Sequence, residues 1–491
     1  MVVSVCLGGY TIGYESGISC GTLIFIDTDY PEITIQQKSN FVSFLVIGGI
    51  FGAIIAGSVS EKIGRKISII LSLLIMIAAT IVLTIGNDIE LLCASRLLQG
   101  FGMGLNMMVS QVYLSESTPK QVRGAAIQSY VLIVFVGFIC SHISSMINAY
   151  QLKLMFSLGL IPALLSLFMF IITQQESPTY VAQKGSPEQV YSIIRRFYKL
   201  NQLSAKASID IHYHEIMDQV KKNSGNSDKS QAQLYKELFT TYRWNLIVAV
   251  TLHFLQNLTG FNIIQNFGPS ILKDAGMSGD SYQGLLLSMT FLTSVIFISN
   301  AIGIKLSTKY GRRQMMLMTC IPMGLSLLML DGALLLTISS DGQSKGFVSV
   351  PWLVQTEIFP IHLIGFSNAI ATTSNWFFNS MLLSIFLQIT KTETGKIVAY
   401  TILAAVCFIT HIFVFRYLPE TKDKSLDICV QLVLDTKQYG ITKANQISNG
   451  DSVNTKNTDF ENQKDDTKQG LLGKNNQIQL AQTQNKTHTN Q

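Results

Sequence analysis

Charge is scarce in this 491-residue sequence. Asp, Glu, Lys and Arg make up 13% of it, against roughly 25% in ordinary globular chains. From Met1 to Thr173, and again from Trp244 to Leu418, long apolar runs are broken only by short polar segments. That excludes a string of soluble domains, which the length alone would allow. Metal-ligand spacing is lacking too. The seven cysteines (Cys6, Cys20, Cys93, Cys140, Cys320, Cys407, Cys429) are scattered, six of them within apolar segments, and none stands in a CxxC pair. They are expected to be packing residues. There is no His/Cys/Asp cluster, nucleophile elbow or phosphate loop, so no metal, cofactor or enzyme chemistry is expected. His142, His253 and His411 stand singly in apolar segments and are expected to be satisfied core residues. The net charge of +6 lies mostly in loops and calls for no nucleic acid.

Hydrophobic length is what the chain has instead. A hydrocarbon layer of roughly 30 Å asks for about 20 apolar residues per helix. Runs of that kind fall near 2–25, 41–60, 67–86, 91–113, 125–147, 152–173, 244–266, 284–306, 314–331, 332–357, 365–390 and 397–418. Barrel strands would instead alternate over about 10 residues. The expected class is an all-α membrane protein of twelve transmembrane helices in a lipid bilayer. The N-terminus lacks the basic region of a cleaved signal, and Glu15 interrupts its apolar stretch. Because the first span begins beside Met1, a few further residues upstream are expected.

Short loops orient the chain. Those after spans 2, 4 and 8 hold Lys62, Arg65, Lys66, Lys120, Arg123, Lys309, Arg312 and Arg313, while those after spans 1, 3, 7 and 11 are dominated by acids. The basic set is expected to face the cytoplasm, and an even span count puts both termini there. The plasma membrane is the expected location, with the vacuole or another endomembrane as the alternative. The domains are expected to be 1–173, a six-helix half; 174–243, a cytoplasmic linker of short amphipathic helices; 244–418, a second six-helix half; and 419–491, a tail disordered beyond about 437. In the linker, Ser186-Pro187-Glu188 has the form of a helix start. Val190, Ile194, Phe197 and Leu200 follow at helical spacing. The tail is rich in Asn, Gln, Thr, Lys and Asp.

The two apolar halves repeat one another. Gly64-Arg65-Lys66 follows span 2 and Gly311-Arg312-Arg313 follows span 8, with the glycines 247 residues apart. Glu116, Pro119 and Gly124 share their spacing with Glu357, Pro360 and Gly365, and the glutamates are 241 apart. Glu176 after span 6 and Glu420 after span 12 are 244 apart. Three features at nearly one offset imply two related halves with a substrate site near the midplane between them. Charge-assisted bonds from Arg65, Lys66, Arg123, Arg312 and Arg313 to Glu116, Glu176, Glu357 and Glu420 would close the cytoplasmic mouth in one state and break in the other.

With these features assembled, the chain resembles the sugar porter family of the major facilitator superfamily over about residues 5–430. The motifs are Gly13-Tyr14-Glu15-Ser16-Gly17, the two Gly-Arg turns, Arg96-Leu-Leu-Gln-Gly100-Phe-Gly102-Met-Gly104, Glu176-Ser177-Pro178, Gln256-Asn257-Leu-Thr-Gly260-Phe-Asn262, Pro351-Trp352 with Glu357 and Pro360, Asn375-Trp376 with Asn379, and Pro419-Glu420-Thr421-Lys422. The resemblance implies the major facilitator fold and transport of a monosaccharide, a hexose such as glucose, by alternating access. Gln256, Asn257, Asn262, Asn375, Trp352 and Gln128 are the expected sugar contacts. A sugar needs neutral hydrogen-bond partners and an aromatic face. A break of the helix at Gly260 would let Gln256 and Asn262 share a cavity. Glu15 is a carboxylate inside a span, which costs roughly 2.5–3.5 kcal/mol on insertion scales. The resemblance places it opposite Arg96 and implies proton symport. A fixed Glu15–Arg96 salt bridge is the alternative.

The chain departs from the family at several positions. Val131 stands where a sugar-binding Gln is usual in span 5, Ile296 where an Asn is common, Thr308 for an acid, and Ile364 and Thr179 for arginines. The polar Ser339–Gly346 stretch falls within the expected span 10. These losses, with the long tail, leave two alternatives open: a facilitative sugar or polyol carrier, and a transporter-like sugar sensor.

Overall fold

The computed structural model describes residues 2–184, 187–197, 203–223, 230–260, 262–263, 265, 282–336, 350–389, 392–421, 424 and 426–448. No strand occurs among the described residues. Helices are the only local solution for most of this chain, because hydrocarbon offers no partner to an unpaired backbone N–H or C=O.

The first half contains α1 (Val2–Asp29), α2 (Ile35–Ile63), α3 (Arg65–Ile85), α4 (Ile89–Ser117), α5 (Lys120–Ile147), and α6 (Leu152–Leu158) with α7 (Leu160–Thr173). The last two make one span interrupted at Gly159. Four linker helices follow: α8 (Pro178–Lys184), α9 (Pro187–Phe197), α10 (Leu203–Asn223) and α11 (Gln231–Thr240). The second half contains α12 (Arg243–Leu258), α13 (Tyr282–Tyr310), α14 (Arg312–Leu336), α15 (Val350–Glu357), α16 (Ile364–Ile389) and α17 (Glu393–Tyr417). A tail helix, α18 (Leu426–Ser448), closes the described part, with a non-helical break at Gly440.

Six of these stretches are long and apolar enough to cross a membrane: Gln36–Ile63, Arg65–Ile85, Val122–Ile147, Leu152–Thr173, Tyr282–Leu306 and Ile397–Tyr417. Most of the other expected spans are helical too, but they carry the in-span polar groups. Glu15 lies in α1, Arg96 and Gln99 in α4, Gln256 and Asn257 in α12, and Asn375 in α16. Ile161, Phe168, Ile172, Ile412 and Phe415 are each at least 60% exposed, an outward apolar surface that only lipid would cover.

Three boundaries differ from expectation. Span 9 runs on to Leu336 instead of stopping at 331, the helix continuing through Asp331 and Gly332. Span 10 is therefore helical only over Val350–Glu357 among the described residues, and Ser339–Gly346 lies outside them. The tail stays helical past 437, to Ser448. Buried Cys429, Val430, Leu432 and Val433 anchor its first turns. In the linker, Val190 and Ile194 are buried as expected, against Ile209 and Ile216. Ser186 and Leu200 lie outside the described residues.

Small residues let the helices approach closely. A Cβ on Gly100 or Gly104 of α4 would strike the main-chain carbonyl of Leu45 or Gly49 on α2. The two halves meet where α2 lies against α16 and α5 against α13. One apolar core therefore takes residues from both, with Ile296, Ile364, Ala369, Trp376 and Leu383 joining the first-half cluster.

Two clusters of charge occupy the end that carries the Gly-Arg turns, one in each half. Arg65 holds Glu116 with both prongs of its guanidinium, Nε to Oε2 at 3.1 Å and Nη2 to Oε1 at 2.9 Å. Both side chains are 3% exposed. Ser177 Oγ donates to the same carboxylate at 2.5 Å. Glu176 accepts from the main-chain N–H groups of Arg65 (2.9 Å) and Lys66 (3.1 Å). The second half repeats this geometry. Arg312 Nη2 donates to Glu357 at 2.8 Å, Thr421 Oγ1 donates to Glu357 at 2.6 Å, and Glu420 takes the main-chain N–H groups of Arg312 (2.8 Å) and Arg313 (3.0 Å). Gly64 and Gly311 have φ of +94° and +91°. A Cβ on either would also collide with Glu176 or Glu420, so glycine serves both the turn and the carboxylate beneath it.

Lys66 and Arg313 join these clusters through their main-chain N–H groups, and neither side chain forms an ion pair with them among the described residues, although the charge of Arg313 lies within electrostatic reach of Glu420. Each follows the pairing arginine by one position, so its side chain leaves the helix in another direction. Arg313 reaches Phe415 O at 2.9 Å. Arg123 forms no ion pair among the described residues, but it lies within electrostatic reach of Glu357 and Glu215. Beside it in α10, burial pushes the imidazole of His212 down to about 4, so His212 is neutral near pH 7.

The buried pairs set an expectation for stability. Arg65→Gln leaves Glu116 buried without its counter-charge and should cost about 3–5 kcal/mol in thermal unfolding of the detergent-purified protein. Adding Glu116→Gln should recover more than half of the loss. Losses that simply add would contradict a coupled pair.

Candidate functional site

The central site is built around the broken end of α12. The helix stops at Leu258, and Gly260 takes φ +86°. The break brings Asn262 back onto Asn257, with Nδ2 donating to Oδ1 at 2.7 Å. Asn257 Nδ2 in turn donates to the main-chain oxygens of His253 (2.8 Å) and Asn375 (3.2 Å). Asn375 Nδ2 lies 3.3 Å from Gln256 Oε1 and 3.1 Å from His253 Nδ1. Four of the residues expected to touch substrate, Gln256, Asn257, Asn262 and Asn375, are therefore brought together from α12, the segment after it, and α16. Gln128 is buried in α5 of the other half. Trp352 is in α15, and its side chain lies outside the described ones.

His253 is a satisfied core residue as expected, and it is also the hub of this network. It is fully buried. Nδ1 lies 3.1 Å from Gln256 Oε1, and Nε2 lies 2.5 Å from Gln355 Oε1. A neutral ring that donates from Nε2 to Gln355 accepts at Nδ1 from Asn375, and Gln256 Oε1 then takes its hydrogen bond from Asn375 and not from the ring. Gln355 Nε2 then donates to Gln111 Oε1 at 3.1 Å. Gln355 belongs to α15 in the second half and Gln111 to α4 in the first, so the network crosses the junction. The histidine was visible in principle, three residues before Gln256 and so on the same helical face. Gln355 and Gln111 carried no such signal. The other two histidines differ from one another. His411 Nδ1 meets Leu317 O at 3.1 Å, while neither ring nitrogen of buried His142 has a hydrogen-bond partner among the described residues.

Amides and a neutral imidazole offer donors and acceptors without net charge. Such a site suits hydroxyl groups and would give a charged ligand no counter-ion.

A second site lies inside the first half. Glu15 is 1% exposed. Its carboxylate accepts from Thr80 Oγ1 at 3.0 Å and from Gln99 Nε2 at 2.6 Å. Arg96 does not pair with that carboxylate directly. Its Nη1 donates to the main-chain oxygen of Glu15 (3.0 Å) and to Gln99 Oε1 (2.6 Å), and its Nη2 donates to Ser19. The guanidinium also stacks over Phe41 at 4.8 Å. Gln99 thus stands between acid and base, in place of the expected face-to-face pair. It lies one turn beyond Arg96 within a motif already singled out. Thr80 and Ser19 come from α3 and α1, and only packing brings them in.

Comparison with known proteins places this geometry in a family. The family model described as "Sugar (and other) transporter" matches residues 1–431. The sugar transporter ERD6-like 6 of Arabidopsis thaliana is 26% identical over 454 residues, covering 87% of this chain and 88% of the relative. The arabinose-proton symporter of Escherichia coli (strain K12) is 27% identical over 449 residues, covering 87% and 91%. Among solved structures, the major facilitator superfamily proton:xylose symporter XylE bound to 6-bromo-6-deoxy-D-glucose superposes with a TM-score of 0.75 at 20% identity, covering 87% of this chain and 97% of that one. With a family model matched over most of its length and the fold shared with that structure, this chain belongs to the sugar (and other) transporter family and has the twelve-helix major facilitator fold.

Proposed function

We propose that the chain carries a monosaccharide, a hexose such as glucose, by alternating access, and that a proton travels with it through Glu15. The observation that carries the proton step is the way Glu15 is held. Neutral donors, Thr80 and Gln99, satisfy its buried carboxylate, and the nearest guanidinium contacts its main chain instead. Held by neutral donors and not by a guanidinium, that carboxylate can gain and lose a proton without breaking an ion pair. Protonation would weaken the bond from Gln99, which also holds Arg96, and so loosen α1 from α4. The relatives named as an arabinose-proton symporter and a proton:xylose symporter support both the sugar and the proton.

In this reading Gln256, Asn257, Asn262 and Asn375 bind sugar hydroxyls near the midplane. The Arg65–Glu116 and Arg312–Glu357 clusters stand at the cytoplasmic mouth and separate when it opens. Both termini lie inside, and the plasma membrane is the site of action.

In cells lacking their own hexose uptake, the chain should restore labelled-glucose uptake. Gln256→Ala leaves sugar and protein groups unpaired at about 1–3 kcal/mol each, so it should cut uptake at low sugar by roughly tenfold or more. Background uptake of hexoses, pentoses and inositol alike would refute the substrate reading. Acidic external pH should drive accumulation above equilibrium, and Glu15→Gln should abolish accumulation while sparing downhill entry. Accumulation that survives Glu15→Gln would remove Glu15 from proton coupling, and the absence of any accumulation in the wild type would leave a facilitative carrier.

A further inference from the structure

We propose that Gln111 is a substrate-binding residue, supplying the first half's hydrogen bond to the sugar. The inference rests on the substrate reading above and goes beyond it by assigning a ligand on α4.

Gln111 is 1% exposed. Its Oε1 is engaged by Gln355 at 3.1 Å, whereas its Nε2 is buried with no hydrogen-bond partner among the described residues. A buried amide donor without an acceptor is destabilising, and native proteins keep few of them. The side chain is not stranded in an apolar wall, because it ends the chain of contacts that runs through Gln355 and His253 to Gln256 and Asn375. An acceptor bound to Gln111 Nε2 therefore sits one residue from the second half's network. Span 5 offers no amide at the position of Val131, which is 4% exposed and packed in the apolar core.

The chemistry of the missing partner follows from its neighbours. The groups linked to Gln111 are amides and an imidazole, with no side-chain charge among them. A hydroxyl or ring oxygen satisfies the free N–H without needing a counter-ion, whereas a carboxylate or phosphate would be left uncompensated. Gln111 belongs to one half and Gln355 to the other, so a sugar oxygen held at Gln111 beside Gln355 favours the joined arrangement of the halves. That contact is lost when they separate, which ties occupancy to closure.

The test uses the full-length chain purified in detergent, with binding of glucose and each monodeoxyglucose measured by competition against labelled glucose. Gln111→Met keeps the volume and removes the amide. It should weaken glucose binding at least tenfold. It should also abolish discrimination against the one deoxy analogue that lacks the hydroxyl facing Gln111, while the other analogues keep their wild-type penalties. The unliganded variant should unfold at or above the wild-type temperature. Wild-type affinity for glucose and every analogue would overturn the assignment. So would a uniform loss across analogues together with a lower unfolding temperature, since both mark a packing role. Should Gln111→Met not fold, Gln111→Asn, which withdraws the amide by one methylene, is judged by the same pattern. A wild-type protein that binds no hexose, pentose or inositol would refute the substrate reading itself and this assignment with it. A wild-type protein that binds sugar unaffected by Gln111 would refute this assignment alone.

Discussion

A carboxylate seated under the first turn of a helix organises one end of this molecule. Glu176 and Glu420 accept the N–H groups that open α3 and α14, where no residue of those helices provides a side-chain cap. At the other end, Thr34 and Thr392 cap α2 and α17 locally. The difference has a physical consequence. A local cap moves with its helix, but a cap donated from more than a hundred residues away fixes one span against another. Each such carboxylate adjoins a second ionised pair, Arg65–Glu116 or Arg312–Glu357, and Ser177 and Thr421 tie the two together. Negative charge at a helix N-terminus and bidentate charge pairing both strengthen as water is excluded. If the clusters line a mouth that opens, as proposed, the same groups become solvated there, and the clusters would act as two-state elements.

The interior between the clusters is polar without being charged. The amides of α12 and α16 and the ring of His253 satisfy one another, and Gln355 carries the network across to Gln111. Charge is confined to the separate pocket of Glu15 and Arg96, where Gln99 mediates. A neutral cargo and a proton would thus be handled by different chemistry on different helices. The helix α4 carries both Arg96 and Gln111 and would join the two covalently.

Much of this was legible in the sequence. Run lengths determined the helical membrane class, because hydrocarbon thickness sets the length of a span. The offsets between Gly64 and Gly311, Glu116 and Glu357, and Glu176 and Glu420 determined the two-fold plan, because a repeated turn needs the same residue types at the same spacing. The break at Gly260 and the gathering of Gln256, Asn257, Asn262 and Asn375 followed from a motif within one segment and a second on α16. Packing decided the rest. Lys66 and Arg313 were chosen for their charges, and the hydrogen bonds they give the clusters come from their main-chain N–H groups. Gln99 was passed over because an Arg–Glu pair is the simpler expectation. The network role of His253 was hidden because its partner Gln355 lies about a hundred positions away, and Gln111 looked ordinary because Gln355, its partner among the described residues, sits in the other half. Periodicity and spacing record what one helix does, whereas a hydrogen bond between helices depends on how two of them are rotated against each other, and no single stretch of sequence encodes that.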